Sequence, residues 1–238
     1  MFFADIHSHI LSSVDDGAKT VEEMYSMVDA AYEQGTRFIC ATPHFYPEFF
    51  GDNGEKAESA FLQLENYCNS QYSDLRVCLG NEIFYHKGIL MWLKEGLCRS
   101  LGNTNYVLLE FDNDSSEQVF MDAAKCLLNF GYVPIFAHAE RYRKLGFSRL
   151  AELRRMGVLV QVNCDSLFGG FFEKARSRLL ISKGLVDFLS SDSHDLQYRT
   201  PNMKKAYDFL DIKYGKEMAD DLCYNNAMEL FEPFGGKI

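Results

Sequence analysis

The sequence predicts an α/β fold: a parallel sheet curled into a closed or nearly closed barrel. Three observations carry that expectation. Seven short apolar runs, at residues 2–7, 37–42, 76–82, 106–111, 132–138, 158–163 and 186–192, alternate with longer segments whose apolar residues recur at helical spacing. Helix start and stop signals punctuate the intervals. No composition shift, internal repeat or low-complexity linker interrupts the alternation, so one domain over residues 1–238 is expected. The alternative, an open doubly wound sheet, often opens with a Gly-rich turn after its first strand, and none follows residues 2–7.

Taken in order, Thr20-Val21-Glu22-Glu23 reads as a capping box, followed by Met24, Met27, Val28 and Ala31 on one helical face and closed by Gly35. The Gly51-Asp52-Asn53-Gly54 cluster is a loop. Residues 55–70 carry Ala57, Ala60, Phe61, Leu64 and Tyr67 on one face, and a third helix over 116–130 stops at Gly131. Gly157 and Gly184 close two more. Thr200-Pro201 reads as an N-cap with proline in the first turn, opening a pair of helices around 206–210 and 217–230.

Composition narrows the function classes. At 238 residues and 47% hydrophobic content the chain can bury a sizeable core. Its net charge of -10 disfavours a nucleic-acid groove or an anionic membrane surface as partner. No apolar run approaches the ~20 residues that span a bilayer, and the N-terminus lacks a basic segment followed by an apolar one, so a cytoplasmic location without membrane insertion is expected. The seven cysteines, widely spaced and without Cys-x-x-Cys, read as reduced thiols, with Cys40 and Cys78 inside strands. None is followed by arginine six residues on, so the Cys-x5-Arg loop of thiol-based tyrosine phosphatases is absent.

The histidines point to the chemistry. His7 and His9 stand two apart in an extended segment, a spacing that lets both imidazoles face one point. Alone this is a weak signal. Yet five of the six histidines, His7, His9, His44, His138 and His194, lie at or just beyond the C-terminal end of an expected strand, and Asp16, Glu82, Glu110 and Asp192 take the same stations. A parallel barrel gathers those ends on one face, where its active sites are built. A lone histidine there is usually a hydrogen-bonded structural residue, but nine coincidences are hard to sustain. The nitrogen and oxygen donors suit Mn, Fe or Zn better than Ca or Mg. Nine ligands are too many for one ion, so two or three ions about 3.5 to 4 Å apart with bridging carboxylates are expected. His86, in Tyr85-His86-Lys87-Gly88, reads as a surface residue.

These residues resemble the polymerase and histidinol phosphatase (PHP) superfamily, and within it the branch of manganese-dependent protein tyrosine phosphatases of capsular polysaccharide biosynthesis. The motifs that carry the resemblance are Asp5-Ile-His-Ser-His-Ile10 with Val14-Asp-Asp-Gly-Ala-Lys19, Ala41-Thr-Pro-His44, Gly80-Asn-Glu-Ile83, Ala137-His-Ala-Glu-Arg141 and Ser191-Asp-Ser-His194. They run in the family's order over almost the whole chain. The loop after His9 often contains proline there and reads Leu11-Ser-Ser13 here, a departure that touches no ligand.

The resemblance implies a distorted (β/α)7, TIM-like barrel with the metal site at the C-terminal strand ends. It implies that His7, His9, Glu82 and Asp192 hold one ion, that Glu82 bridges to a second held by Glu110 and His138, and that Asp16, His44 and His194 hold a third. It places Arg141, and less directly Arg199, beside the substrate phosphate. Three divalent ions set against four carboxylates leave the rim positive on a chain of net charge -10, which draws an anionic substrate there. The expected chemistry is in-line attack by metal-activated hydroxide on a phosphate monoester, without a cysteine nucleophile or a phosphoenzyme. Metal-bound water, His194 or another rim group then protonates the leaving phenolate. Three readings stay open: a phosphatase acting on an autophosphorylated bacterial tyrosine kinase in capsular or exopolysaccharide synthesis, a small-molecule phosphatase of the histidinol phosphatase type or a phosphodiesterase, and a noncatalytic metal-binding module. The complete ligand set argues against the third.

Overall fold

The structure, a computed structural model, describes residues 1–51 and 53–231. Position 52 of the expected 51–54 loop and positions 232–238 of the expected domain lie outside the described residues. All the strands pair in parallel. Strands β1 (Phe3–Ser8), β2 (Thr36–Ala41) and β4 (Arg76–Leu79) form a three-stranded sheet in the order β1-β2-β4. A six-stranded sheet runs β3-β5-β6-β7-β8-β9, from β3 (His44–Phe45) and β5 (Glu82–Phe84) through β6 (Tyr106–Glu110), β7 (Val133–Phe136) and β8 (Leu159–Asn163) to β9 (Phe188–Ser190).

The two sheets curl onto each other as a distorted β/α barrel. At one seam His9 N–H donates to Ser193 O at 2.8 Å and Asp192 N–H to His7 O at 2.9 Å, tying the end of β9 to β1. At the other seam β4 leads through Gly80 and Asn81 directly into β5, with Gly80 N–H donating to Ala41 O at 2.8 Å and Glu82 N–H to Pro43 O at 3.2 Å.

One of the seven expected strands is therefore divided, and one short strand, β3, lies outside all seven. The run at 76–82 is not one strand but β4 and β5, because the Asn81 side chain donates to Pro43 O and accepts from Arg99 N–H, which turns the chain between them. The run at 37–42 is followed by the separate β3. Glu82 consequently opens a strand where the sequence suggested that it ends one.

The barrel interior is filled by Ala4, Ile6, Phe38, Cys40, Leu108, Ile135 and Phe188. Its floor is closed by the C-terminal helix α10 (Asn226–Phe231), whose Phe231 ring lies 4.5 Å from that of Phe38. Helices α1 (Val21–Gln34), α2 (Pro47–Phe50), α3 (Gly54–Gln71), α4 (Ile89–Glu95), α5 (Glu117–Leu128), α6 (Phe147–Met156), α7 (Phe171–Ser182), α8 (Met203–Tyr214) and α9 (Lys216–Asp220) complete the described α-helices, with a π turn over Asp221–Asn225 between α9 and α10.

The start signal of α1 acts at Thr20, with the Glu23 carboxylate reaching back to Lys19 N–H. Thr20 Oγ1 accepts from Glu23 N–H, an interaction worth about 1 kcal/mol, and α1 buries Met24, Met27, Val28 and Ala31. One start signal is misplaced: α8 opens at Met203 with Asn202 in the cap position. Thr200-Pro201 precedes the helix, and Pro201 O accepts from the Gln34 side chain of α1. Short α2 and α4 were not foreseen. No described helix is long and apolar enough to cross a membrane.

Candidate metal centre

The site residues gather around the strand ends: Glu110 closes β6, His138 and Asp192 lie just past β7 and β9, and His44 and Glu82 open the short β3 and β5 as ladder partners of each other. The register of β1 against β2 shifts between Asp5 and Ser8, and such an irregularity lets Ile6 join the interior while His7, the next residue, reaches the rim. Past β1 the chain doubles back sharply: a Cβ on Gly17 would stand 1.9 Å from His9 O, so only glycine fits where Asp15 and Asp16 are brought against the histidines. His138, just past β7, and Asp192, just past β9, adopt left-handed backbone with φ of 31° and 52°. Non-glycine residues held in that region mark places where surrounding structure dictates the geometry, and both here aim side chains into the cluster.

All nine expected residues converge. Donor atoms of His9, Asp16, His44 and His194 lie within 4.8 Å of one another, as do those of His7, His9 and Glu82, and those of His44, Glu82 and Glu110. His138 Nε2 lies 2.9 Å from Glu82 Oε1 and 3.4 Å from Glu110 Oε1. His7 Nε2 and His9 Nε2 lie 3.4 and 3.5 Å from Asp192 Oδ1. Glu82 thus touches His7, His9, His44 and His138 from the centre of the group. His7, His9, Glu82 and Asp192 are almost fully buried, whereas His44, Glu110 and Asp16 are 14%, 22% and 51% exposed and form the mouth.

The proton positions show what the cluster requires. His194 Nδ1 lies 3.0 Å from the Asp192 carbonyl, which only accepts, so Nδ1 carries the proton. His9 Nδ1 donates to Asp15 Oδ2 at 2.7 Å. His7 Nδ1 faces Gln161 Oε1 at 3.2 Å; that oxygen also accepts from His138 N–H while the Gln161 amide donates to Asn163, so His7 must donate as well. In their neutral, metal-binding form all three rings therefore turn an Nε2 lone pair inward. Those of His7 and His9 meet at 3.3 Å, and buried His194 Nε2, without a hydrogen-bond partner, lies 3.3 Å from Asp16 Oδ1.

Lone pairs and carboxylates packed this way repel unless positive charge lies among them. The titration shifts agree. Burial alone would raise the Glu82 carboxyl, but His7, His44 and His138 hold it well below its ordinary value. Burial would lower His9 and His138, but Asp15 and Glu82 drive the first well above its ordinary value, and Glu110 and Glu82 carry the second up to about 9. Burial and the neighbouring His9 lower His194. A nitrogen–oxygen cage that demands cations fits a divalent metal centre.

Arg141 and Arg199 both reach this rim, through Asp192. Arg141 Nη2 lies 3.1 Å and Arg199 Nη2 2.6 Å from Asp192 Oδ2, which also accepts from Asn163. The two carboxylates near Arg141 in sequence are engaged elsewhere, Glu140 with Ser166 and Asn163 N–H, and Glu152 with Arg149. His86 is exposed, stacked on Trp92, and away from the cluster. Sequence reasoning passed over Asp15, Gln161 and Asn163, which hold the ligands. The paired Asp15-Asp16 was the only signal for any of them.

The fold and site define a curled parallel β/α barrel with a histidine and carboxylate cluster at one rim; an amidohydrolase from Mycoplasma synoviae, 14% identical, shares the fold with a TM-score of 0.60 over 94% of this chain and 86% of its own. Residues 3–232 match the family described as capsular polysaccharide synthesis, CpsB/CapC, and this chain belongs to it.

Tyrosine-protein phosphatase CpsB of Streptococcus agalactiae serotype III (strain NEM316) is 32% identical over 237 residues, 96% of this chain and 98% of the relative. Tyrosine-protein phosphatase YwqE of Bacillus subtilis (strain 168) is 33% identical over 234 residues, 95% of this chain and 91% of the relative. A solved structure from work on YwqE of Bacillus subtilis and CpsB of Streptococcus pneumoniae, described as metal-dependent tyrosine phosphatases, matches with a TM-score of 0.88 at 31% identity, covering 96% of this chain and 94% of its own.

Proposed function

We propose that this chain is a metal-dependent phosphomonoesterase acting as a protein tyrosine phosphatase in capsular polysaccharide synthesis. The observation that carries the reading is the cage of five histidines and four carboxylates, buried at its base and open at its mouth, with two arginines at its edge. His7, His9, Glu82 and Asp192 would hold one cation, Glu82 with Glu110 and His138 a second, and Asp16, His44 and His194 a third. The donor set suits manganese, with iron or zinc as alternatives. Divalent cations in such a cage acidify water and offset phosphoryl charge.

The chain's own residues do the rest. Asp15 and Gln161 fix the His9 and His7 rings by their Nδ1–H groups. Arg141 and Arg199 present guanidiniums that can exchange Asp192 for two phosphate oxygens, Arg141 by its planar fork. His194 has only Nε2 free, because Nδ1–H is engaged, and we assign that atom to ligation. The leaving phenolate, with a conjugate acid of pKa about 10, departs with little protonation.

A thiol nucleophile finds no support. Burial pushes the Cys40, Cys68, Cys98, Cys126, Cys164 and Cys223 thiols above the ordinary value, the opposite of a reactive cysteine. The substrate is a phosphotyrosine protein, and we assign an autophosphorylated bacterial tyrosine kinase of the cytoplasm. The names and matched lengths of the relatives support a phosphotyrosine substrate over a histidinol-phosphatase-like activity. Chelation should abolish hydrolysis of p-nitrophenyl phosphate, manganese should restore it, and iodoacetamide should leave most of it. Loss to alkylation with resistance to chelation would sink the assignment, and faster turnover of histidinol phosphate than of a phosphotyrosine peptide would replace the substrate.

A further inference from the structure

We propose that Phe50 is a specificity-determining residue, whose ring forms the wall against which the aryl group of a phosphate monoester stacks at the mouth of the metal centre. The inference rests on the reading above that the site takes a phosphate monoester. Helix α2, which carries Phe49 and Phe50, buries none of its residues, and Phe49 is 78% exposed. Phe50 itself is half-buried, so part of its ring stays open to solvent, where each Å² of apolar surface left uncovered forfeits about 25 cal/mol.

The segment is nonetheless well backed. The Tyr46 and Phe84 rings stack 4.2 Å apart at 7°, and Phe45 packs edge-on against Trp92 at 5.2 Å. On this support Phe50 lies parallel to the His44 imidazole, 5.2 Å away at 7°. His44 belongs to the partly exposed side of the cluster. Tyr142 also approaches a cluster histidine, His138, at 5.7 Å, but it is fully buried and its hydroxyl accepts from Phe111 N–H. Of these two described rings in contact with a cluster histidine, Phe50 is therefore the one that an incoming group can meet.

The arginines anchor on Asp192, while His44 contacts Asp16, Glu82 and Glu110. A phosphate held between them directs its ester oxygen toward the open mouth. An aryl substituent on that oxygen meets the Phe50 face; a short alkyl substituent offers no π surface for it.

The test uses the manganese-loaded full chain and calorimetric binding of phenylphosphonate and methylphosphonate, which cannot be hydrolysed, with phosphotyrosine-peptide hydrolysis measured alongside. Phe50→Leu keeps an apolar cover and removes the aromatic face. The preference for phenylphosphonate over methylphosphonate should fall about 2- to 10-fold in Phe50→Leu and be retained in Phe50→Tyr. A preference unchanged in Phe50→Leu, or absent from the unsubstituted chain, overturns the inference even if the peptide is hydrolysed. A preference that falls as expected in a chain that leaves phosphotyrosine peptide intact keeps the aryl wall and removes the tyrosine phosphatase reading. Binding of neither phosphonate removes both.

Discussion

Asp15 makes the sharpest single-residue test, because its carboxylate touches no cation in the proposed assignment yet accepts three hydrogen bonds that shape the site. Oδ2 takes His9 Nδ1–H at 2.7 Å and His44 N–H at 2.9 Å, and Oδ1 takes Gly17 N–H at 2.9 Å. In Asp15→Asn one oxygen becomes an NH2 donor. Placed toward Gly17, it meets another donor. Placed toward His9, it meets the His44 N–H and forces the His9 proton onto Nε2, the atom that must ligate. Neither orientation preserves the site.

The magnitude follows from titration. Burial raises the Asp15 carboxyl, but His9 and the two backbone donors outweigh it and bring it down to about 2. Against an ordinary value near 3.9, that corresponds to about 2.5 kcal/mol. Because the folded pKa is depressed, the stabilisation is present above pH ~3.9 and is lost as the pH falls toward about 2. Metal-stripped Asp15→Asn should therefore melt about 5 to 10 °C below the parent at pH 7, with the difference shrinking in acid. Manganese affinity should drop about 10- to 100-fold, the usual cost of losing a residue that orients a metal-binding histidine. Calorimetric titration of manganese and thermal melts on one preparation measure both. Parental affinity together with a parental melt would refute the orienting role.

Arg141→Ala should lower kcat and kcat/KM together by roughly 10²-fold with metal content near parental, and Arg141→Lys should fall short of the parent; normal turnover with an earlier melt would confine Arg141 to its ion pair with Asp192. Glu82→Ala should lose more metal by elemental analysis than His44→Ala, because Glu82 contacts four histidines from the centre of the cage while His44 stands at its mouth; equal losses count against a bridging carboxylate. In the metal-stripped protein His138 is raised to about 9, so its stabilisation is complete below pH ~6.5 and disappears as the pH rises through about 9. The melting temperature should fall across that window and manganese should restore it at the alkaline end; a flat profile without metal contradicts the coupling of His138 to Glu82 and Glu110.

Much of this protein is legible in its sequence, for local reasons. The capping box at Thr20, the glycine after α1 and the apolar faces of α1, α3 and α5 depend on contacts between neighbours three or four residues apart, which sequence spacing encodes. The nine cage residues could be singled out because β/α alternation places strand ends on one rim, so position along the chain translates into position in space. The sequence alone therefore determined the fold class, the family resemblance and the set of chemically competent side chains.

What needed tertiary structure were the partnerships between distant segments. The break at Gly80-Asn81 arises from a side-chain contact to Pro43, and the Pro201 carbonyl ahead of α8 accepts from Gln34, 167 residues away. Gln161 and Asn163 look like ordinary polar residues until His7 and Asp192 are brought against them from other strands, and Asp15 until the turn at Gly17 folds it back on His9. The attachment of Arg141 to Asp192, in preference to the nearer-numbered Glu140 or Glu152, was likewise settled by the closure of the barrel. Helix and strand signals act over a few residues, whereas hydrogen-bond partners and charge neighbours are chosen by packing across the whole chain, and only folding brings those groups within reach of one another.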